Sequence, residues 1–182
     1  MPDYTLAVAT SADGFIARAA DHTPQSWASA EEQALFFAHV NAADWAIMGR
    51  NTHLAADKAD RHRIVFSTSM QGWQRATQLW LDPTQITAAD LPGMVAGIRP
   101  LNSGLVLGGT RVHDWFVAAN ALSKVYLTIE PIHFHDGLPI FSDQKTRNPL
   151  EAFRARGYGV VRDEVLNAAG TRYITLCPEH PE

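Results

Sequence analysis

The feature that most restricts the fold of this chain is a series of short apolar runs that alternate with segments of helical spacing. Short runs rich in Val, Ile, Leu and aromatic residues are typical of buried strands, whereas apolar residues three and four positions apart indicate helices. The runs predict strands at Tyr4–Thr10, Asp44–Met48, Arg63–Ser67, Gln78–Leu81, Leu105–Leu107, Lys124–Ile132, Tyr158–Leu166 and Thr171–Cys177. Helical spacing occurs at Ser29–Ala43, around Thr87–Ile98 and at Val112–Ala121. This alternation favours an α/β fold with a mostly parallel sheet covered by helices.

The end of the chain modifies this prediction. The last two predicted strands flank the turn sequence Asn167-Ala168-Ala169-Gly170. A connection this short joins antiparallel strands. The sheet is therefore expected to be mixed and to finish in a C-terminal antiparallel hairpin.

The composition fits a single globular domain over residues 1–182, since hydrophobic residues make up 46% of the chain and charged residues 19%. The net charge of −4 and the lack of a basic block argue against a nucleic-acid partner. No uncharged apolar stretch approaches the ~18 residues of a membrane span. Cys177 is the single cysteine, so neither an internal disulfide nor a Cys-based zinc site is possible. We expect a small-molecule partner and a location in the reducing cytoplasm.

Two predicted strands end in glycines that are followed by an arginine. One gives Leu107-Gly108-Gly109-Thr110-Arg111, and the other gives Met48-Gly49-Arg50-Asn51-Thr52. Glycines let the backbone approach a ligand closely, and a helix N-terminus attracts phosphate. Ser67-Thr68-Ser69 adds hydroxyls after a third strand. In open α/β sheets, ligands bind at the C-terminal ends of strands, so these segments predict a phosphate-containing ligand there.

The first predicted helix carries an acid–base candidate. Glu32, Phe36 and Val40 are spaced four residues apart and share one face. A carboxylate beside an aromatic ring on an inward face would be desolvated and able to handle a proton. The alternative is structural, because Ser29 followed by Glu32 is also a capping box, in which the glutamate only completes the helix start. The residues alone leave both interpretations open.

One further group has metal-ligand chemistry but unsuitable spacing. His133, His135 and Asp136 lie beside Gly137 and Pro139, a pattern more typical of an exposed turn. No metal site is predicted.

Together these segments resemble dihydrofolate reductase and its relative, the reductase domain of riboflavin biosynthesis. The resemblance rests on the order and spacing of Ser11-x-Asp13-Gly14-x-Ile16-Ala17, Trp27 with Glu32 and Phe36, Ile47-Met48-Gly49-Arg50-x-Thr52, Ile64-Val65-Phe66-Ser67, Val106-Leu107-Gly108-Gly109-x-Arg111-Val112 and Lys124-Val125-Tyr126-Leu127-Thr128. It implies a dihydrofolate reductase-like fold, NADPH as cofactor and hydride transfer to a pterin-like C=N bond, and it is compatible with a homodimer. It also implies that Ser11–Pro24 forms a lid over the site.

The resemblance also assigns individual residues. It implies that Glu32 holds the pterin and assists its protonation, that Thr128 supports that carboxylate, and that Arg61 binds the folate tail. It places Ala9, Trp27 and Phe36 against the substrate. The implied NADPH-binding residues are Ile16, Gly49, Arg50, Thr52, Ser67, Thr68, Gly108, Gly109, Thr110, Arg111 and Val112. Arg50 and Thr68 would favour the 2′-phosphate and therefore NADPH over NADH.

The sequence also departs from the dihydrofolate reductase pattern. His113 stands where many of those enzymes have a tyrosine, and Asn51–Arg63 is short and polar. Two alternatives therefore remain. One is a free-standing reductase of a ribosylamino-pyrimidine in riboflavin biosynthesis, whose substrate phosphate Arg61 and Arg63 would bind. The other is an NADPH-binding module without turnover, in which Glu32 is only a helix cap.

Overall fold

The computed structural model describes residues 1–179, which form one large sheet, one small sheet and five α-helices. The strands are β1 (Asp3–Ser11), β2 (Phe15–Ala17), β3 (Trp45–Gly49), β4 (Arg63–Phe66), β5 (Gly72–Arg75), β6 (Gln78–Leu81), β7 (Ser103–Gly108), β8 (Leu122–Glu130), β9 (Leu138–Pro139), β10 (Tyr158–Val165) and β11 (Arg172–Pro178). The helices are α1 (Ala30–Ala42), α2 (Arg50–Ala55), α3 (Leu91–Val95), α4 (Thr110–Ala118) and α5 (Pro149–Arg154).

The large sheet has nine strands in the order β10-β11-β8-β1-β7-β3-β4-β6-β5. Neighbouring strands from β8 to β6 in this order pair in parallel, whereas β11, β10 and β5 add antiparallel pairs at the two ends. The predicted mixed, mostly parallel sheet with a C-terminal hairpin is thus confirmed. Parallel strands need crossover connections, and these carry α1 to α4 past the sheet.

The core forms where β1 lies between β7 and β8. Tyr4 and Leu6 are fully buried there, because a central parallel strand is covered on both faces. The hydroxyl of Tyr4 donates to the carbonyl of Ala88 at 2.9 Å, which satisfies its one buried polar group. A Cβ atom at Gly104 would lie 2.7 Å from the Tyr4 ring, so the neighbouring strand needs glycine at that position.

Several short elements differ from the sequence prediction. β5 was missed because all four of its residues are exposed and carry no apolar alternation. α5 is only six residues long and depends on Asn148, whose side chain accepts from the amides of Leu150 and Glu151. The helix expected around Thr87–Ile98 is shorter, at Leu91–Val95.

Other boundaries shift by only a few residues. The helix predicted at Val112–Ala121 begins two residues earlier, directly after Gly109, and ends at Ala118. The strand predicted at Lys124–Ile132 runs from Leu122 to Glu130.

The expected lid, Ser11–Pro24, is anchored at its base. Its strand β2 pairs with β9 to form the small sheet. The carboxylate of Asp13 accepts hydrogen bonds from the Ser11 hydroxyl at 2.6 Å and from the amides of Phe134 and His135 at 3.1 and 2.8 Å. Desolvation acts to raise the pKa of Asp13, but these hydrogen bonds outweigh it and lower the pKa to about 2.

None of the helices within residues 1–179 is both long and apolar enough to cross a membrane.

Candidate active site

A cavity of about 1130 Å³ opens where β1, β3, β4 and β7 end, between α1, α2 and α4. The residues predicted from sequence that line it are Ala9, Ile16, Glu32, Phe36, Gly49, Arg50, Thr52, Arg61, Ser67, Thr68, Gly109, Thr110, Arg111 and Val112. They come from segments far apart in the chain. The sheet brings them together because the carboxyl ends of parallel strands meet at one edge.

The two glycine turns are direct neighbours. A Cβ atom placed on Gly49 would lie 3.8 Å from both the Gly108 carbonyl oxygen and the Gly109 amide nitrogen. The pairing of β3 with β7 causes this proximity, since Met48 lies opposite Gly108 in the register. Gly108 itself has φ +94, and a side chain there would collide with the His113 ring at 2.9 Å.

The glycine-turn end of the cavity fits a dinucleotide. A Cβ atom at Gly109 would meet nothing within 4 Å, so the backbone is open to the cavity at this point. Gly109 also caps α4 without a side-chain hydrogen bond, which leaves first-turn amides available to an anion. Arg50 and Arg111 are exposed on the cavity wall and supply positive charge.

Two of the hydroxyls at this end are already engaged. Thr110 donates its hydroxyl hydrogen to the Pro139 carbonyl at 2.6 Å, and the Ser67 hydroxyl bonds that of Ser69 at 3.2 Å. The Thr110 bond ties α4 to β9, and therefore joins the glycine turn to the small sheet of the lid. Thr52 and Thr68 make no such bond among the described residues.

Glu32 lies on the opposite wall, at the third position of α1. The Ser29 hydroxyl accepts from the Glu32 amide at 3.2 Å, which is half of a capping box. The return bond is not made by Glu32, because the Ser29 amide donates instead to Oε1 of Glu130 at 2.8 Å. The Glu32 carboxylate thus makes no hydrogen bond within residues 1–179, although the residue is only 7% exposed. The structure therefore contradicts the interpretation of Glu32 as a helix cap.

This environment changes the acidity of Glu32. Burial, followed by the nearby carboxylate of Glu130, raises the pKa of Glu32 from 4.5 to about 7. Near neutral pH the group exchanges readily between its protonated and ionised forms, which is the condition for general acid–base work.

The α2 side of the cavity is positively charged. Arg61 donates to the Asn41 side chain at the end of α1 at 2.8 Å, and Lys58 and Arg63 line the same wall. Arg63 is only 8% exposed, and its guanidinium lies 3.1 Å from His53 Nδ1. No carboxylate forms a salt bridge with Arg61 or Arg63 among the described residues, and although Asp57 and Asp60 lie close enough to act on Arg63, basic side chains outnumber acidic ones on this wall.

Three predicted residues do not line the cavity. Trp27 packs against His22 and Phe134 with ring centroids 6.2 and 5.1 Å apart. Thr128 is buried on β8 opposite Ala9, and no hydrogen bond joins its hydroxyl to Glu32 among the described residues. Gly108 is the last residue of β7 and packs against the His113 ring.

Sequence reasoning missed Glu130 altogether. It is 3% exposed and ends β8, the strand that carries Thr128. It lies inside the strand predicted at Lys124–Ile132, where a carboxylate in an apolar run was a usable signal, although its hydrogen-bond partners lie 101 and 41 residues away in the chain.

The role of His113 was also not anticipated. It is 1% exposed, and its Nδ1 bonds the Ile140 carbonyl at 2.8 Å. Burial lowers the pKa of His113 to about 4, so the ring is neutral and supports the glycine turn from below.

Comparison with known proteins gives structural but no sequence-level matches. No protein-family profile matches the chain, and no curated protein is significantly similar in sequence. A proposed riboflavin biosynthesis protein from Shewanella sp. PV-4 superposes with a TM-score of 0.67 at 19% identity, covering 98% of this chain and 99% of its own. A diaminohydroxyphosphoribosylaminopyrimidine deaminase/5-amino-6-(5-phosphoribosylamino)uracil reductase from Thermotoga maritima superposes with a TM-score of 0.69 at 16% identity, covering 97% of this chain.

This chain spans 56% of the length of the Thermotoga protein. The dihydrofolate reductase-like fold predicted from the motifs is confirmed, and it is shared with these two proteins. At these identities the similarity is one of fold.

Proposed function

We propose that this protein is an NADPH-dependent reductase that transfers hydride to a C=N bond conjugated with a pterin-like or pyrimidine-like ring. The observation that carries the proposal is the Glu32 carboxyl group, which is buried beside the cavity, free of its capping role and shifted in pKa to about 7. The adjacent glycine turns at Gly49 and Gly109 support a dinucleotide in the same cavity.

NADPH, when bound, supplies the hydride. Gly109 and the start of α4 would hold its phosphates, with Arg50 and Arg111 as counter-charges. Thr68 and Arg50 would contact the 2′-phosphate. These residues contribute binding and orientation, whereas the redox chemistry belongs to the cofactor.

Glu32 controls the proton in this reaction. In its protonated form Glu32 would donate a proton to the nitrogen of the C=N bond whose carbon accepts the hydride, so that the bond is reduced to C–H and N–H. Phe36 lies one turn further along α1, lines the cavity and would pack against the ring. The lid segment that includes Ile16 and His22 lines the cavity and would exclude water during transfer.

The positive wall suits a substrate that carries an anionic group. Arg61, Arg63 and Lys58 provide positive charge on the α2 side of the cavity. A phosphate group on a ribosylamino-pyrimidine satisfies this charge, as would the carboxylates of a folate tail. The two structurally similar proteins support the pyrimidine, because the Thermotoga protein is named as a reductase of such a compound.

The third possibility is a binding module without turnover, in which the Glu32 side chain would only cap α1. The Ser29 amide donates to Glu130 instead, which removes the observation that favoured this alternative.

The testing experiment follows NADPH oxidation with dihydrofolate and, separately, with 5-amino-6-(5-phosphoribosylamino)uracil as acceptor. Glu32→Gln is expected to lower turnover by about 10²–10⁴-fold, the usual contribution of a general acid. Glu31→Gln is the matched control, since Glu31 is exposed one residue away and is expected to react at the wild-type rate.

The outcomes separate the alternatives. Turnover with only one acceptor assigns the substrate class. NADPH binding without turnover on either acceptor would contradict both substrates but keep the cofactor. A chain that binds no NADPH in a titration would refute the proposal as a whole.

A further inference from the structure

Glu130 is a buried carboxylate that the proposed reaction does not use directly. It terminates β8 and is 3% exposed, and both of its oxygens accept hydrogen bonds. The Ser29 amide donates to Oε1 at 2.8 Å, and the Thr171 hydroxyl donates to Oε2 at 2.7 Å. Charged groups are rarely buried without such partners, so the site has been built around a negative charge.

The two hydrogen bonds connect three separate elements. Ser29 is the N-cap of α1, Glu130 belongs to the sheet, and Thr171 precedes β11 in the C-terminal hairpin. The Asn167 side chain extends the connection, since it accepts from the Thr171 amide at 3.1 Å and donates to the Thr171 hydroxyl oxygen at 2.9 Å. The start of α1 is therefore fixed to the sheet and to the hairpin through a single carboxylate.

We infer that Glu130 is a positioning residue which replaces the capping carboxylate of α1 and so frees Glu32 to act as the acid of the reductase. This inference rests on the proposed function. In an ordinary capping box, the glutamate at the third helix position bonds the N-cap amide. Here the N-cap amide, that of Ser29, donates to Glu130 at the end of β8, and the Glu32 side chain remains available to the cavity.

The negative charge of Glu130 has a second effect. It opposes ionisation of Glu32 and thus keeps the acid protonated to higher pH. The other groups around Glu32 do not supply this effect. Tyr173 on β11 is neutral, because burial raises its pKa well above its usual range, and Glu31 on α1 points to solvent, where Asn167 donates to it.

The histidine on the same helix supplies no positive charge near Glu32. His39 lies two turns further along α1, where its Nε2 bonds the Tyr173 hydroxyl at 2.7 Å. Burial and the nearby Lys124 on β8 lower the pKa of His39, which keeps the ring neutral. Glu130 is thus the charged group that acts on Glu32 from the elements packed against it.

The inference is tested with Glu130→Gln. The Gln amide oxygen can still accept from the Ser29 amide, and the Thr171 hydroxyl can turn to accept from the Gln amino group, so the geometry is retained while the charge is lost. Glu31→Gln removes a charge at the surface of the same helix turn and serves as the control.

The measurement is an NMR pH titration of ¹³C-labelled glutamate carboxyl groups, without NADPH or substrate. The pKa of Glu32 is expected to fall by about 0.5 to 1 unit in Glu130→Gln and to stay at the wild-type value in Glu31→Gln. An unchanged Glu32 titration in Glu130→Gln would overturn the inference. Should Glu130→Gln not fold, the wild-type spectrum still decides, because a Glu130 carboxyl group protonated at neutral pH would also overturn it.

Kinetics then separate this inference from the proposed function. With an active acceptor, the alkaline limb of kcat against pH is expected to move to lower pH in Glu130→Gln by the same amount as the NMR titration. A merely structural role would lower kcat at every pH without moving the limb. Absence of any NADPH turnover, together with the shifted titration, would refute the reductase and leave the action of Glu130 on Glu32 intact.

Discussion

Glu32 occupies the helix position at which a glutamate ordinarily turns back to bond the N-cap amide. Because the Ser29 amide donates to Glu130, the Glu32 carboxyl group is desolvated without a compensating hydrogen bond among the described residues. Such an arrangement costs stability whenever the group is ionised. Unfavourable burial of an ionisable group is frequent at functional sites, where the shifted pKa serves the chemistry and the folded state is less stable as a result.

The unfavourable burial of ionised Glu32 predicts how the free energy of unfolding changes with pH. The native state binds the Glu32 proton more tightly than the unfolded chain, so the contribution of Glu32 to stability is greatest below pH 4.5 and declines as the pH rises to about 7. Glu32→Gln removes this decline. The variant is expected to gain roughly 3 kcal/mol in free energy of unfolding relative to wild type across that interval.

Urea denaturation at a series of pH values measures this difference. Glu31→Gln is expected to follow the wild-type curve, since Glu31 is exposed. A constant difference between Glu32→Gln and wild type at all pH values would show that Glu32 is not desolvated.

At the scale of elements, the lid depends on the tight turn at Gly14. Gly14 has φ +87, and its amide bonds the Ser11 carbonyl at 3.1 Å. A Cβ atom there would lie 2.7 Å from the Arg147 carbonyl oxygen and 2.9 Å from Gln144 Nε2. The lid base therefore packs against the segment before α5 with no space for a side chain.

Gly14→Ala is expected to destabilise the protein by about 2–4 kcal/mol, of which about 1 kcal/mol is backbone strain and the rest collision. Gly72→Ala is the matched control, because Gly72 has φ +96 but no atom within 4 Å of its Cβ position. It is expected to lose only about 1 kcal/mol. Chemical denaturation measures both, and equal losses would contradict the packing described for the lid base.

The sequence predicted elements well where local signals were strong. The strand Gln78–Leu81 was placed at its observed bounds, and Ser29 was recognised as the cap of α1 because its spacing to Glu32 is a local signature. β5 has no apolar alternation, so no local signal marked it. α5 has the helix-start residues Asn148 and Pro149, but its six residues are too short for a helical period to stand out.

The site was predictable to a similar degree. Strand ends located the glycine turns and Arg50, since parallel strands deliver their termini to one edge. Packing decided the rest. The Trp27 ring packs against His22 and Phe134, and the Ser29 amide donates to Glu130, which is 101 residues away in the chain. No local sequence pattern predicts contacts of this kind.

At the scale of the whole molecule, the cavity couples ligand binding to global stability, because α1, α2, α4 and the lid all contribute to its wall. A ligand that binds only the folded state stabilises it by about 2.7 kcal/mol at a concentration of 100 Kd. For a domain of this size, that is roughly 5–10 °C in Tm.

NADPH is expected to raise Tm by this amount and NADH by less, since Arg50 would meet the 2′-phosphate. Arg50→Gln should bring the two shifts together. Arg154→Gln is the control, because Arg154 pairs with Glu151 on α5 outside the cavity, and it should keep the wild-type difference. Equal shifts with the two cofactors in wild type would argue against a 2′-phosphate site at Arg50. Differential scanning fluorimetry gives all six Tm shifts, two for each of the three proteins.

The order of strands in the sheet also determines how long a newly synthesised strand waits for the strands with which it pairs. β1 has only β7 and β8 as neighbours, and its residue Asp3 pairs with Ser103, 100 positions later. At synthesis rates of roughly 5–20 residues per second, that interval lasts about 5–20 seconds. During this time an apolar strand with two open edges has no partner on the ribosome. The same topology that gathers the cavity from distant segments thus leaves strand edges of the nascent chain unpaired and open to aggregation until β7 and β8 have been made.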